Sequence, residues 1–116
     1  MYKVLVFAGT TEGYEICRFL ADHKIETKGF VATEYGSKSL AESEFLTVQT
    51  GRLDAAAMEE VFLQEKPEMV LDATHPYAAE VTVNIRTACE NTQTAYYRVL
   101  REAGEHEDRA VYVDSV

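Results

Sequence analysis

The sequence has no tryptophan and only two prolines, and it contains no run of about 18 apolar residues of the kind that a membrane helix requires. Residues 1–3 lead directly into a strand-like segment, without the charged leader and small-residue cleavage site of an export signal. We therefore expect a soluble, cytoplasmic protein. A length of 116 residues with 47% hydrophobic side chains is typical of one globular domain.

Cysteine is also scarce. Cys17 and Cys89 are the only two cysteines, and each falls within a helical pattern. Because no C-x-x-C motif or Cys/His cluster accompanies them, the pattern indicates neither a metal site nor a disulfide framework. We expect both to be small buried side chains, as free cysteines usually are.

Basic residues are fewer than acidic ones. The chain has 11 basic against 20 acidic residues, a formal net charge of −9. Such a surface repels nucleic-acid backbones and anionic lipids, so we expect neither as a partner. A single cleft could still gather enough basic groups to hold an anionic small molecule.

Short apolar runs alternate with helical patterns along the chain. The runs cover residues 3–7, 28–31, 45–48, 69–71, 95–99 and 111–113. Helical patterns begin near Glu12, Asp54 and Pro76. This alternation favours parallel strands with right-handed crossovers. The predicted fold is a doubly wound α/β protein, with a mainly parallel sheet, helices on both faces and a ligand site at the carboxyl ends of the strands.

Each helical pattern has an apolar face that we expect to pack against the sheet. The three faces comprise Ile16, Phe19 and Leu20; Met58, Val61 and Phe62; and Ala78, Val81, Ile85, Ala88 and Cys89. Asp54 is predicted to cap the second helix and Pro76 to be the first residue of the third.

The first strand ends in the turn Gly9-Thr10-Thr11-Glu12-Gly13. Glycines allow close approach of an anion, and the following helix directs its N–H groups and positive dipole end to the same place. The full G-x-G-x-x-G fingerprint is absent, so three interpretations stay open at this point. The turn could bind a dinucleotide pyrophosphate, bind a mononucleotide such as FMN as in flavodoxins, or simply cap the helix.

The segment after the second strand bears on the choice between NADPH and NADH. Thr33, Ser37 and Lys38 could hold a 2′-phosphate, whereas an inward-facing Glu34 would oppose one. Both coenzymes therefore remain candidates.

The segment from Asp72 to Ala78 (DATHPYA) follows the fourth strand at the same predicted edge as the glycine turn. If the two loops flank the point where strand order reverses, His75 faces the nicotinamide end of a bound cofactor. A lone histidine is also commonly a capping or core residue. His23 and His106 lie in polar surroundings and are expected at the surface.

These motifs occur together in a recognisable order. They are GTTEG at residues 9–13, Thr33 with Tyr35-Gly36, Gly51-Arg52-Leu53, DATHPYA at residues 72–78, and Tyr96-Tyr97-Arg98 with Arg101. In this combination the chain resembles the N-terminal half of the precorrin-6A reductase family, including its cobalt-precorrin form, from corrin-ring (vitamin B12) biosynthesis. The resemblance spans nearly the whole chain.

The resemblance implies an enzyme that transfers a hydride from NADPH, or from NADH, to a double bond of a precorrin-6A-type tetrapyrrole. The cofactor-binding residues that it implies are Gly9, Thr10, Thr11, Gly13, Thr33, Tyr35, Gly51, Thr74 and His75. His75 and Tyr77 are the candidate catalytic residues, as proton donors. Residues 1–116 would form the dinucleotide-binding domain, and a second domain, absent from this chain, would close over the ring.

A tetrapyrrole substrate with several carboxylates calls for arginines around the cleft. Arg98 and Arg101 are the candidate substrate-binding residues, with Arg52 as a further candidate; the alternative is that they are surface arginines making weak ion pairs, and the substrate role is favoured most for Arg98. Two alternatives to the reductase are a non-enzymatic nucleotide-binding sensor module and a flavodoxin-like FMN domain.

Overall fold

Strands and helices alternate as the sequence pattern predicts. The computed structural model describes residues 2–33, 40–101 and 111–115. The strands are β1 (Val4–Ala8), β2 (Thr27–Val31), β3 (Leu46–Thr50), β4 (Met69–Ala73), β5 (Tyr96–Arg101) and β6 (Val111–Ser115). The helices are α1 (Thr11–Asp22), α2 (Ala55–Glu65) and α3 (Ala79–Thr92). Tyr35, Ser37, Lys38 and His106 lie outside the described residues.

The strands form a six-stranded sheet with the order β3-β2-β1-β4-β5-β6. The first five strands are parallel, and β6 runs antiparallel to β5. The predicted, mainly parallel α/β sheet is therefore confirmed. Strand order reverses between β1 and β4, as in dinucleotide-binding folds and unlike the flavodoxin order, in which β1 separates β2 from β3. This order argues against the FMN alternative.

Two apolar cores lie on opposite faces of the sheet. Helices α2 and α3 cover one face, where Phe62 and Ile85 pack with Leu5 and Phe7 of β1. Helix α1 covers the other face, where Cys17 packs with Val4 and Val6. Because successive strand residues point to opposite faces, the apolar β1 contributes to both cores, as a fully buried central strand must. Among the described residues, no helix is long and apolar enough to span a bilayer.

The predicted inward face of α1 is wrong at Phe19. Gly13 and Cys17 are the buried residues of this helix, whereas Phe19 is 59% exposed and its ring lies 4.1 Å from that of His23. Once the face of Gly13 and Cys17 is against the sheet, the helical period carries Phe19 to the solvent side. The predicted inward residues of α2 are confirmed, since Met58 and Phe62 are buried and Val61 packs beside them.

The third helix begins later than predicted. Pro76 lies in a turn closed by the Ala78 N–H, which donates to the His75 carbonyl at 2.9 Å, and α3 begins at Ala79. The proline ring suits the second position of such a turn as well as it suits a helix start, so local propensity did not separate the two. The consequence is that His75 and Tyr77 lie on a loop before the helix.

Gly13 allows α1 to lie directly on the sheet. A Cβ atom at this position would be 2.9 Å from Ala8 Cα and 3.1 Å from Ala73 Cβ. The atoms at the ends of β1 and β4 belong to backbone and short side chains and have little freedom to move away. Gly13 therefore sets the spacing between the start of α1 and the two central strands.

We expect Gly13→Ala to lower the free energy of unfolding by about 1–3 kcal/mol, because it overpacks a rigid contact. Gly29→Ala is the matched control, since the atoms nearest to its Cβ would be side-chain ends, those of Cys17 and Leu40 at 3.2 Å and of Leu46 at 3.9 Å. Urea denaturation of both variants measures the difference. Equal losses of stability would contradict the packing role assigned to Gly13.

Candidate functional site

A cleft of about 890 Å³ opens at the carboxyl ends of β1 to β4. Several of the residues singled out in the sequence line it, namely Gly9, Thr33, Gly51, Thr74, His75 and Tyr77. They come from loops far apart in sequence that meet because parallel strands all end at one edge. The volume lies within the range of about 300–1,000 Å³ that is common for small-molecule and cofactor sites.

The other predicted site residues are placed differently. Thr10, Thr11, Gly13 and Arg98 are near the cleft in the fold but are not among its lining residues. Tyr35 and the side chain of Arg101 lie outside what the structure describes. Sequence reasoning missed the contribution of α3, where Glu80 and Asn84 line the cleft. Their spacing of four residues places them on one helical face, which was the available signal.

Thr10, between β1 and α1, connects the start of α1 to the end of β4 by hydrogen bonds. Its hydroxyl accepts a hydrogen bond from the Gly13 N–H at 3.2 Å and donates one to the Ala73 carbonyl at 2.8 Å. The capping role considered for this threonine is therefore observed. Thr11 is exposed as the first residue of α1.

Gly9 brings the first turn against the β4–α3 loop. Its N–H donates to the Ala73 carbonyl at 3.3 Å, and a Cβ at this position would lie 3.4 Å from Thr74 Cα. The two loops are thus neighbours at the reversal point, as the sequence predicts. On the other side of the cleft, Gly51 has φ +124°, a backbone conformation that favours glycine.

His75 and Tyr77 stand together at the rim of the cleft. The Tyr77 N–H donates to His75 Nδ1 at 3.1 Å, and the two rings lie 5.1 Å apart. Because Nδ1 accepts this bond, the neutral imidazole carries its proton on Nε2. Tyr77 is 91% exposed, so a large aromatic surface is open at the mouth of the cleft.

Asp72 is a buried carboxylate at the end of β4, with a side chain 0% exposed. Its Oδ1 accepts from the Thr74 N–H, the Thr74 hydroxyl and Arg98 Nη1, at 3.1, 2.7 and 3.2 Å. Its Oδ2 accepts from the hydroxyls of Thr82 and Tyr96, at 2.8 and 2.7 Å. A buried charge requires such pairing, since leaving it without partners is strongly destabilising.

All the observed hydrogen bonds of Arg98 are donated by one nitrogen, Nη1. Nη1 donates to the Asp72 carbonyl at 3.0 Å and to the Thr74 carbonyl at 2.9 Å, in addition to pairing with the Asp72 carboxylate. The side chain is 12% exposed. The sequence suggests that this arginine contacts substrate, but the geometry supports an internal role. Asp72 and Arg98 are partners in the β4–β5 register, and this pairing draws the guanidinium inward.

Both cysteines are buried and free, as expected. Burial raises the pKa of the Cys17 thiol to about 12, and burial with the nearby charge of Asp72 raises the pKa of Cys89 to about 12. Burial and the hydrogen bond to Asp72 also raise the pKa of Tyr96. Within the described part of the chain, no group of three or more His, Cys, Asp or Glu side chains is placed to hold a metal ion.

We expect the free energy of unfolding to fall as the pH rises above about 9. In the unfolded chain the thiols and Tyr96 deprotonate near 9.0 and 10.0, whereas the folded protein retains their protons. The unfolded state then binds fewer protons, so alkaline conditions favour it. Urea denaturation between pH 8 and 11 measures the fall, and Tyr96→Phe should reduce it above pH 10. A stability that stays constant across this range would contradict the assignment.

The strand order and the cleft at the reversal point define a Rossmann-like α/β domain. A family model described as precorrin-6x reductase CbiJ/CobK matches residues 3–116. The chain therefore belongs to the precorrin-6x reductase family, and the resemblance inferred from its motifs is confirmed.

Individual relatives agree with this assignment. The chain is 34% identical over 100 residues to the cobalt-precorrin-6A reductase of Methanothermobacter thermautotrophicus, a match that covers 85% of this chain and 33% of that enzyme. A solved structure of CobK precorrin-6A reductase matches with a TM-score of 0.76 and 29% identity, over 92% of this chain and 42% of that one. The matches cover 33–37% of the length of the curated relatives.

The fold is shared more widely than the family. The Bordetella bronchiseptica enzyme WbmH, solved in complex with NAD⁺, matches with a TM-score of 0.65 and 17% identity. This match covers 81% of the present chain and 36% of that chain. At this level of identity the likeness concerns the fold alone.

Proposed function

We propose that this chain is the coenzyme-binding part of an NAD(P)H-dependent reductase that acts on a precorrin-6A-type tetrapyrrole in cobalamin biosynthesis. The observation that carries the proposal is the cleft at the β1/β4 reversal point, where the Gly9 turn meets the His75 loop. Dinucleotides bind at this place in doubly wound sheets. Membership of the precorrin-6x reductase family supplies the substrate class.

The residues at the cleft fit a dinucleotide. Gly9 allows the first turn to lie against the Thr74 and His75 backbone where the turn lines the cleft, and α1 directs the positive end of its dipole there. Gly9 and Thr11 would hold the pyrophosphate, with Thr10 and Gly13 shaping the turn behind it. Thr33 and Gly51 would lie along the adenosine half, and Thr74 and His75 near the nicotinamide.

The coenzyme supplies the hydride, and the protein has to orient it and manage a proton. Reduction of a conjugated double bond needs a proton at the neighbouring carbon. His75 Nε2 and the Tyr77 hydroxyl are the candidate donors at the rim. The bond from the Tyr77 N–H to His75 Nδ1 orients the ring, and proton donation from Nε2 would require the imidazolium form, in which Nδ1 carries a proton and gives up this bond.

The matched region corresponds to 33–37% of the length of the curated relatives. We propose that the part of the enzyme corresponding to the remainder of the relatives forms a second domain and closes over the ring. The exposed ring of Tyr77 would then pack on the planar substrate. Arg101 stays the candidate for contacts with substrate carboxylates, because Arg98 is engaged within the protein.

We propose that NADPH is the preferred coenzyme. Ala32 and Thr33, which follow β2, line the cleft where the adenosine ribose would lie. Arg52 lines the same region and is exposed, next to β2 because the Gly51 N–H bonds to the Val31 carbonyl at 2.9 Å. An arginine there suits a 2′-phosphate.

We expect the chain to bind NADPH and the Gly9→Val variant to lose binding while remaining folded. A Cβ at Gly9 would lie at contact distance from the Thr74 and His75 backbone, 3.4 and 3.6 Å, and the two further methyl groups of valine would obstruct the turn. Fluorescence titration with NADPH measures binding, and circular dichroism checks the fold. Glu15→Val, on the exposed face of α1, is the matched control. A folded wild-type chain without affinity for NADPH or NADH would overturn the proposal.

We expect Arg52→Met to weaken NADPH binding about tenfold and to leave NADH binding unchanged, since one charge-assisted contact to the 2′-phosphate is lost. Calorimetric titration with both coenzymes measures the two affinities. Arg18→Met removes an exposed arginine from the middle of α1 and serves as control. An equal loss for both coenzymes would instead place Arg52 away from the 2′-phosphate.

A further inference from the structure

We infer that Asp72 and Arg98 are positioning residues, which hold the backbone at Thr74 and His75 in the geometry that receives the nicotinamide half of the coenzyme. The inference rests on the proposed function and adds to it a role for groups that line no part of the cleft. It also replaces the direct contact between Arg98 and substrate that the sequence suggests.

A hydrogen-bond network of Asp72, Arg98, Thr82 and Thr74 connects the loop after β4 to β4, β5 and α3. Arg98 of β5 donates to the Thr74 carbonyl, which leads into the peptide bond of His75. The Asp72 carboxylate accepts from the N–H and hydroxyl of the same threonine. Thr82 of α3 donates to Asp72 and lies 3.3 Å, oxygen to oxygen, from the Thr74 hydroxyl. The N–H, the hydroxyl and the carbonyl of Thr74 therefore all hydrogen-bond to the buried ion pair of Asp72 and Arg98.

The held segment is also the one that meets the first turn. A Gly9 Cβ would lie 3.4 Å from Thr74 Cα and 3.6 Å from the His75 N atom. The spacing between the first turn and the β4–α3 loop therefore depends on backbone that the ion pair holds. The described bonds of this network join β4, β5, α3 and the β4–α3 loop, and Arg52, on the β2 and β3 side of the cleft, is not among their partners.

This arrangement predicts an effect confined to one half of the ligand. Without Arg98 the loop can move, so the nicotinamide half loses its contacts while the adenosine half keeps its own. Two probes separate the halves: NADPH, and 2′-phospho-ADP-ribose, which lacks the nicotinamide ring. General loss of structure would weaken both probes alike, so the ratio of their dissociation constants distinguishes positioning from folding.

The experiment is a calorimetric titration of both probes into the wild-type chain and into Arg98→Met. We expect the variant to raise the Kd for NADPH about tenfold while the Kd for 2′-phospho-ADP-ribose changes less than about threefold. Arg98→Lys should restore most of the affinity, because a single nitrogen makes all the observed contacts and an ammonium can replace it.

Tyr96→Phe is the matched control. It removes a hydrogen bond to the same carboxylate from the β5 side without touching the loop, so it should lower stability and leave the ratio unchanged. If Arg98→Met does not fold, Thr82→Val carries the test, with an expected change of about threefold in the same direction.

An unchanged ratio in a folded Arg98→Met or Thr82→Val variant overturns the inference and leaves the proposed function intact. A parallel loss of both probes also overturns it, because the network would then be merely structural. If the wild-type chain binds neither probe, the proposed function itself fails, and this inference fails with it.

Discussion

The structure depends on one buried charge. The Asp72 carboxylate lies inside the protein at the end of a central strand, where an unpaired charge would be strongly destabilising. Its five hydrogen bonds therefore have to be made together, and they come from β5, from α3 and from the loop that follows β4. Satisfying this carboxylate brings these elements into one arrangement and, with them, the loop of His75.

A second constraint meets the first at the reversal of strand order. Because β1 lies beside β4, the turn at Gly9 and the loop at Thr74 leave the sheet in adjacent positions. The small size of Gly9 and Gly13 allows the backbones to approach closely there. The cleft thus has a wall held from within by an ion pair and a floor formed by the ends of the strands. A rigid wall of this kind suits a reaction in which one ring has to be aligned with another.

Much of the site could be predicted because its residues follow strands. Periodicity located the strands, and parallel pairing placed their carboxyl ends at one edge. Six of the predicted cofactor-binding and catalytic residues line the cleft, namely Gly9, Thr33, Gly51, Thr74, His75 and Tyr77. The prediction that Arg98 contacts substrate was uncertain because it depends on the direction of the side chain. The sequence leaves open whether Arg98 points to the cleft or to Asp72, since both directions are available to a residue at a strand end. The start of α3 was missed because proline suits a turn and a helix start equally.

The sequence by itself determined the alternation of elements, the parallel sheet and the burial of both cysteines, because these follow from local periodicity and from the need to remove apolar side chains from water. Only the tertiary structure decided the full order of the six strands, the inward face of α1 and the partners of Asp72. Each of these depends on contacts between residues distant in sequence: Asp72 pairs with Arg98 across 26 positions, and no local pattern encodes that meeting. The fold class could thus be predicted from the sequence, whereas the buried ion pair that holds the His75 loop could not.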